Sequence, residues 1–141
     1  MRRDWSLLLC LLSHIEAETL DAFLRDGNAG VQWIENQLIS EHHRQEEEQR
    51  KTNRVVLLHL KMLIDGGYVD GVRVNRGADG CLAVAVSGDV FLTSDGYDLL
   101  EALRNQGFWN RVKKAAQEKA VPLTIETLKD LIGFVVKATL N

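Results

Sequence analysis

The strongest constraint on the fold of this chain is a change of hydrophobic period at residues 66–67. Residues 54–65 are unusually apolar, and the segment has the hydrophobic pattern of a helix. Gly66-Gly67 ends this helix, because glycine adopts the left-handed C-cap conformation without a steric penalty. Beyond it, residues 68–75 and 82–86 have the composition and spacing of strands, and the glycine-rich residues 76–80 lie between them. The pattern therefore predicts a helix followed directly by a β-hairpin.

Helical spacing and capping residues predict further helices on both sides of the hairpin. Asp4 can cap the first helix, and Thr52 or Asn53 can cap the apolar helix that begins at Arg54. Residues 90–93 either extend the hairpin or form a short third strand. The remaining predicted segments are a helix over residues 5–18, a helical turn or loop at 20–25, a helical segment from about residue 32, a solvated helix or mobile connector at 41–51, and helices over 94–105, 108–120 and from 124 onward.

The predicted fold class is α+β and mostly helical, in the order of a winged helix-turn-helix with a β-hairpin wing. A length of 141 residues favours one domain with a short appendage. We assign residues 1–106 to the winged helix-turn-helix domain. Residues 107–141 form a C-terminal helical extension that either packs on this domain or forms a dimer.

Several sequence motifs resemble known bacterial proteins. Residues 59–69 are similar to a segment near the recognition helix of many bacterial winged-helix regulators. A broader resemblance is carried by Arg3-Asp4-Trp5 and by residues 59–71, 92–100 and 108–110, in that order. These motifs resemble domain-of-unknown-function family 2513, a family of small bacterial, phage and prophage proteins. The resemblance implies a winged-helix-like fold and a mobile-element setting.

Charge is distributed unevenly along the chain, which has a net charge of −3. This balance excludes a global basic field for nucleic acid. Residues 53–77 nevertheless carry four basic and two acidic groups, and residues 105–120 carry four and one. We therefore expect a DNA-binding protein that contacts double-stranded DNA through the apolar helix and the wing, with regulation of transcription as one role. The candidate residues are Thr52, Asn53, Arg54, Lys61, Arg73 and Arg76.

A protein partner is the alternative interpretation of the same scaffold. The apolar start of the helix, residues 55–58, is unlike the polar side chains with which helices usually read base edges. The protein would then bind and modulate a host protein. Aromatic anchors and the apolar stripe of the last helix are the candidate interface with a partner or a second copy. The alternative, which we favour for any single aromatic residue, is that these side chains belong to the core. They are Trp33, Phe108, Trp109, Leu128, Leu131 and Val135.

No arrangement of residues indicates catalysis, and we expect a protein that is not an enzyme. His59 lies on an apolar helix and is interpreted as a structural histidine. Cys10 and His14 share a helix face, but two ligands do not make a zinc site. We expect no metal and no cofactor. The basic and apolar start of the chain lacks the features of a signal peptide, so we expect a cytoplasmic protein without a membrane segment.

Overall fold

The computed structural model describes residues 2–27 and 39–140. Within them lie six helices and one two-stranded antiparallel sheet, which makes the protein α+β and mostly helical, as predicted. In chain order the elements are α1 (Trp5–Glu16), α2 (Leu20–Gly27), α3 (Ile39–Asp65), β1 (Val69–Arg76), β2 (Leu82–Leu92), α4 (Ser94–Arg104), α5 (Gln106–Glu118) and α6 (Ile125–Leu140).

Side-chain caps begin several of the described helices, and the cap at Asp4 is as predicted. Asp4 accepts a hydrogen bond from the Leu7 backbone N–H (3.2 Å) at the start of α1. Thr93 caps α4 in the same way, through the Gly96 N–H at 3.1 Å. Thr124 accepts from the Thr127 N–H at the start of α6. These side chains satisfy backbone donors that have no partner inside the helix.

α3 is a single helix of 27 residues, about 40 Å long. The predicted start at Arg54, with Thr52 or Asn53 as the N-cap, is therefore wrong, because both residues lie in the interior of α3. The stretch 41–51, left open as helix or connector, is helical. Most of the segment predicted from residue 32 lies outside the described residues, and its end at Ile39 belongs to α3.

The C-terminus of α3 is closed by a Schellman motif. The Tyr68 N–H bonds to the Leu63 carbonyl at 2.9 Å, and the Gly67 N–H bonds to the Ile64 carbonyl at 3.0 Å. Gly67 has a φ of 80°, a left-handed conformation that is strained for residues with a Cβ atom. The predicted glycine stop is thereby confirmed, and it turns the chain directly into β1.

The hairpin is longer and less regular than predicted. β2 continues as far as Leu92, so residues 90–92 extend the hairpin and do not form a separate third strand. Thr93 lies outside the strand, as the N-cap of α4. The pairing shifts between Asp70, opposite Phe91, and Val72, opposite Val86. Gly71 allows this irregularity, because it has a φ of 85° and an added Cβ atom would overlap the Asp89 carbonyl oxygen.

One hydrophobic core connects all the main elements. It includes buried side chains of α1, α3, the base of the hairpin and α4, and it continues into α5 and α6. α6 packs against both α4 and α5. The core residues with no exposed surface include Leu8, Leu60, Leu99, Val112 and Leu128. The C-terminal helices therefore share the core of the preceding elements.

Candidate nucleic-acid interface

Two exposed arginines lie on one face of α3. Arg50 and Arg54 are four residues apart, so their side chains lie on the same side of the helix. Both line a groove between α2, α3 and β2. Neither forms a hydrogen bond or ion pair with another residue in the described part of the chain. Their guanidinium groups are thus available to an anionic partner.

Thr52 and Asn53 do not occupy the helix start at which we expected them to contact DNA. The Thr52 hydroxyl donates to the Glu48 carbonyl of the preceding turn at 3.0 Å. The Asn53 side-chain oxygen accepts from the Gln49 amide at 3.2 Å. In the helix interior, the backbone N–H groups are occupied by the helix itself. These two residues therefore present no free helix N-terminus.

Lys61 lies on the same helical face as Arg54, two turns further along α3. Its ammonium group pairs with the Asp65 carboxylate at 3.0 Å, and both side chains are exposed. An exposed pair of this kind contributes little to stability. The lysine can therefore exchange Asp65 for another anion, but its charge is already partly compensated.

The hairpin arginines point to opposite faces. Arg73 and Arg76 are three residues apart on β1, and side chains alternate along a strand. Arg76 lies opposite Leu82, which lines the groove, whereas Arg73 lies opposite Ala85, which does not. Both arginines are exposed and have no partner among the described residues. The groove side of the hairpin therefore carries Arg76, and the outer side carries Arg73.

The groove has a volume of about 800 Å³ and an excess of positive charge. Its two acidic residues are both paired: Asp21 with Arg25 at 2.6 Å, and Glu47 with Lys51 at 3.7 Å. Arg50 and Arg54 remain as uncompensated charges in a protein whose net charge is −3. Sequence reasoning missed Arg50. Its spacing of four from Arg54 was the available signal, hidden by the predicted break between them.

The predicted partner interface is largely inside the molecule. Four of the candidate residues are buried in the core, the alternative that the sequence left open for them: Trp109, Leu128, Leu131 and Val135. Trp109 packs edge-on against Trp5, with ring centroids 5.1 Å apart. Burial of these side chains within the chain provides the hydrophobic stabilisation that a partner would otherwise supply.

The two other predicted anchors have different positions. Phe108 is half-buried and lines a smaller groove of about 440 Å³ between α4 and α6. Trp33 lies outside the described residues. Of the predicted anchors in the described part of the chain, only Phe108 thus remains partly accessible.

Comparison with known proteins identifies the family. The model of the family described as hypothetical protein DUF2513 matches residues 2–122. The chain belongs to this family. It is also similar to an uncharacterised protein of Haemophilus influenzae, with 22% identity over 142 residues and coverage of 99% of both chains. No solved structure matches the chain.

The resemblance stated from the sequence motifs is therefore confirmed. The matched region of this DUF2513 protein includes Arg54, Arg73 and Arg76, and it ends before α6. Among the described residues, no helix is long and apolar enough to cross a membrane.

Proposed function

We propose that this DUF2513 protein is a non-enzymatic winged-helix protein that binds double-stranded DNA. The order of elements supports the winged-helix interpretation: three helices, a two-stranded antiparallel hairpin, and a further helix. In this interpretation the hairpin is the wing, and α3 occupies the position of the recognition helix. A regulatory role in transcription is one use of such binding.

The observation that carries the proposal is the set of exposed, unpaired arginines around the α3 groove. Arg50, Arg54 and Arg76 lie on the groove side of α3 and the hairpin. Arginine binds phosphate oxygens through charge-assisted, often bidentate hydrogen bonds. Because contacts of this kind position a protein on DNA without reading its sequence, we expect binding with modest sequence preference.

The alternative, a protein-interaction module, is less well supported. Four of its predicted anchors lie in the core, as described above. The unpaired arginines on the groove side of α3 and the hairpin also suit phosphate oxygens. DNA binding is therefore the function that these side chains favour.

The proposal is tested by fluorescence anisotropy of labelled duplex DNA across a salt series. Each phosphate contact contributes about 0.9 to the slope of log K against log salt. We expect the Arg50→Ala, Arg54→Ala double variant to weaken binding to every sequence and to lower this slope by roughly two. Arg76→Ala should lower it by about one, and Arg73→Ala by less, because Arg73 is on the outer face.

Arg111→Ala is the matched control. Arg111 is an exposed arginine of α5, and α5 packs on α4 and α6, away from the groove. An unchanged salt slope in the Arg50→Ala, Arg54→Ala variant would contradict the assigned interface. An equal decrease of the slope in Arg111→Ala would contradict it as well. Absence of binding by the unaltered protein at low salt would reject DNA as the partner.

A further inference from the structure

The groove between α2, α3 and β2 also has an apolar floor. Its floor and hairpin wall are formed by Leu20, Leu24, Leu57, Leu82, Val84 and Val86. Leu20 and Leu57 are buried residues of the core, whereas Val86 is 59% exposed, the largest exposed fraction among the large hydrophobic residues of the described chain. Phosphates are recognised by polar groups, so the DNA contacts proposed above do not account for this apolar surface.

The chemistry of the groove changes from its floor to its rim. Apolar side chains lie below, and the unpaired guanidinium groups of Arg50 and Arg54 lie along one edge. The acidic residues on the rim, Asp21 and Glu47, are compensated by Arg25 and Lys51. An occupant that matches both features has an apolar body and an anionic end.

The size of the groove is compatible with a small molecule. Ligand pockets are typically about 300–1,000 Å³, mostly apolar, with a few polar groups that orient the ligand. A groove of about 800 Å³ with two free arginines at one edge fits this description. An acyl or aryl chain buried on the floor would gain hydrophobic stabilisation, and the arginines would hold its anionic group.

We propose that this groove binds a small anionic amphiphile, a molecule with an acyl or aryl body and a carboxylate or sulfonate head. The apolar body lies on Leu57, Val84 and Val86, and the head is bound by Arg50 and Arg54. A second consequence rests on the proposed DNA binding: because the ligand occupies these two arginines, it competes with DNA and acts as a releasing effector.

Binding is tested with two probes on the full-length protein in the absence of DNA. Anilinonaphthalene sulfonate, an anionic aromatic probe, should become fluorescent in the groove, and myristate should displace it. The double variant Arg50→Gln, Arg54→Gln should weaken binding of both probes by about tenfold or more, through loss of charge-assisted hydrogen bonds to the head group. Val86→Gln should also weaken binding of both probes, because it replaces an apolar side chain of the groove wall by a polar one.

Two matched variants separate the groove from the rest of the surface. Arg73→Gln removes an exposed arginine from the outer face of the same hairpin, and Val136→Gln replaces an exposed valine of α6. Both should bind the probes as the unaltered protein does. Circular dichroism verifies that each variant is folded. No probe binding by the unaltered protein, or equal binding by all variants, overturns the proposed ligand site.

The regulatory consequence has its own measurement. Myristate added to the complex with labelled DNA should lower the anisotropy, and more myristate should be needed with Val86→Gln than with Val136→Gln. If the probes bind but DNA does not, the ligand site stands and the proposed DNA function fails. If both bind without competition, the effector role is rejected.

Discussion

At the residue scale, His59 shows how a polar side chain is accommodated in the core. The imidazole has no exposed surface. Its Nδ1 lies 2.7 Å from the Val55 carbonyl oxygen, and its Nε2 accepts the Asp4 backbone N–H at 2.9 Å. These partners require a neutral ring with the proton on Nδ1. His59 therefore links the start of α1 to α3, and its interpretation as a structural histidine is confirmed.

Replacing His59 by alanine should destabilise the protein by about 2–3 kcal/mol, because a buried cavity forms and the Asp4 N–H loses its partner. Urea denaturation measures the loss. His14→Ala is the control: His14 is only partly buried and bonds to the exposed Thr19. His14→Ala should destabilise the protein by less than half as much as His59→Ala. Equal losses for the two variants would show that the buried hydrogen bonds of His59 contribute nothing.

At the element scale, the continuity of α3 is the main departure from the sequence-based prediction. Thr52 and Asn53 resemble capping residues, but a cap requires the chain before it to leave the helix. The preceding stretch instead supports helix through pairs at i and i+4, Arg44 with Glu48 and Glu47 with Lys51. It also contains no glycine or proline. These pairs were visible in the sequence and favour the exposed-helix interpretation.

A pair of alanine substitutions distinguishes a helix interior from a helix cap. Thr52→Ala should be neutral or stabilise the protein by up to about 0.5 kcal/mol, because alanine is the better residue inside a helix. Asp4→Ala should destabilise it by about 1 kcal/mol, because the Leu7 N–H loses its side-chain acceptor. Thermal denaturation of the two variants and the unaltered protein measures both changes in stability. A loss at Thr52 as large as that at Asp4 would restore the predicted break in α3.

At the scale of the whole molecule, Tyr68 joins the hairpin to the C-terminal helices. Its hydroxyl donates to the Ile125 carbonyl at 2.7 Å. Its own carbonyl accepts the Thr93 N–H at 3.0 Å, at the junction of β2 and α4. Lys129 lies over the ring and pairs with Asp95. Burial, and then the carboxylates of Asp95 and Glu126, raise the pKa of Tyr68 from 10.0 to about 12.

This raised pKa predicts a specific loss of stability in alkali. The unfolded chain releases the phenol proton near pH 10, whereas the folded protein holds it until about pH 12. The contribution of Tyr68 is thus complete below pH 10 and is lost as the pH rises to about 12. Tyr68→Phe removes this contribution. The difference in unfolding free energy between the two proteins should therefore shrink across that interval; a constant difference would contradict the raised pKa.

Interactions between neighbouring residues determined where several helices and the hairpin of this protein begin and end. The end of α3 at Gly67, the hairpin after it, and the caps at Asp4, Thr93 and Thr124 follow from φ preferences and from unpaired backbone donors, which involve only neighbouring residues. Family membership was likewise visible in short motifs. For the same reason, most element boundaries were predicted to within a few residues.

Only the tertiary structure decided what each face of these elements contacts. Burial of Trp109, Leu128, Leu131 and Val135 depends on how α5 and α6 pack on α4. The groove beside Arg50 and Arg54 exists because α2 and β2, distant in sequence, flank α3. Hydrophobic periodicity shows that a helix has an apolar side. It does not show whether core or solvent lies against that side, because burial depends on segments far apart in the chain.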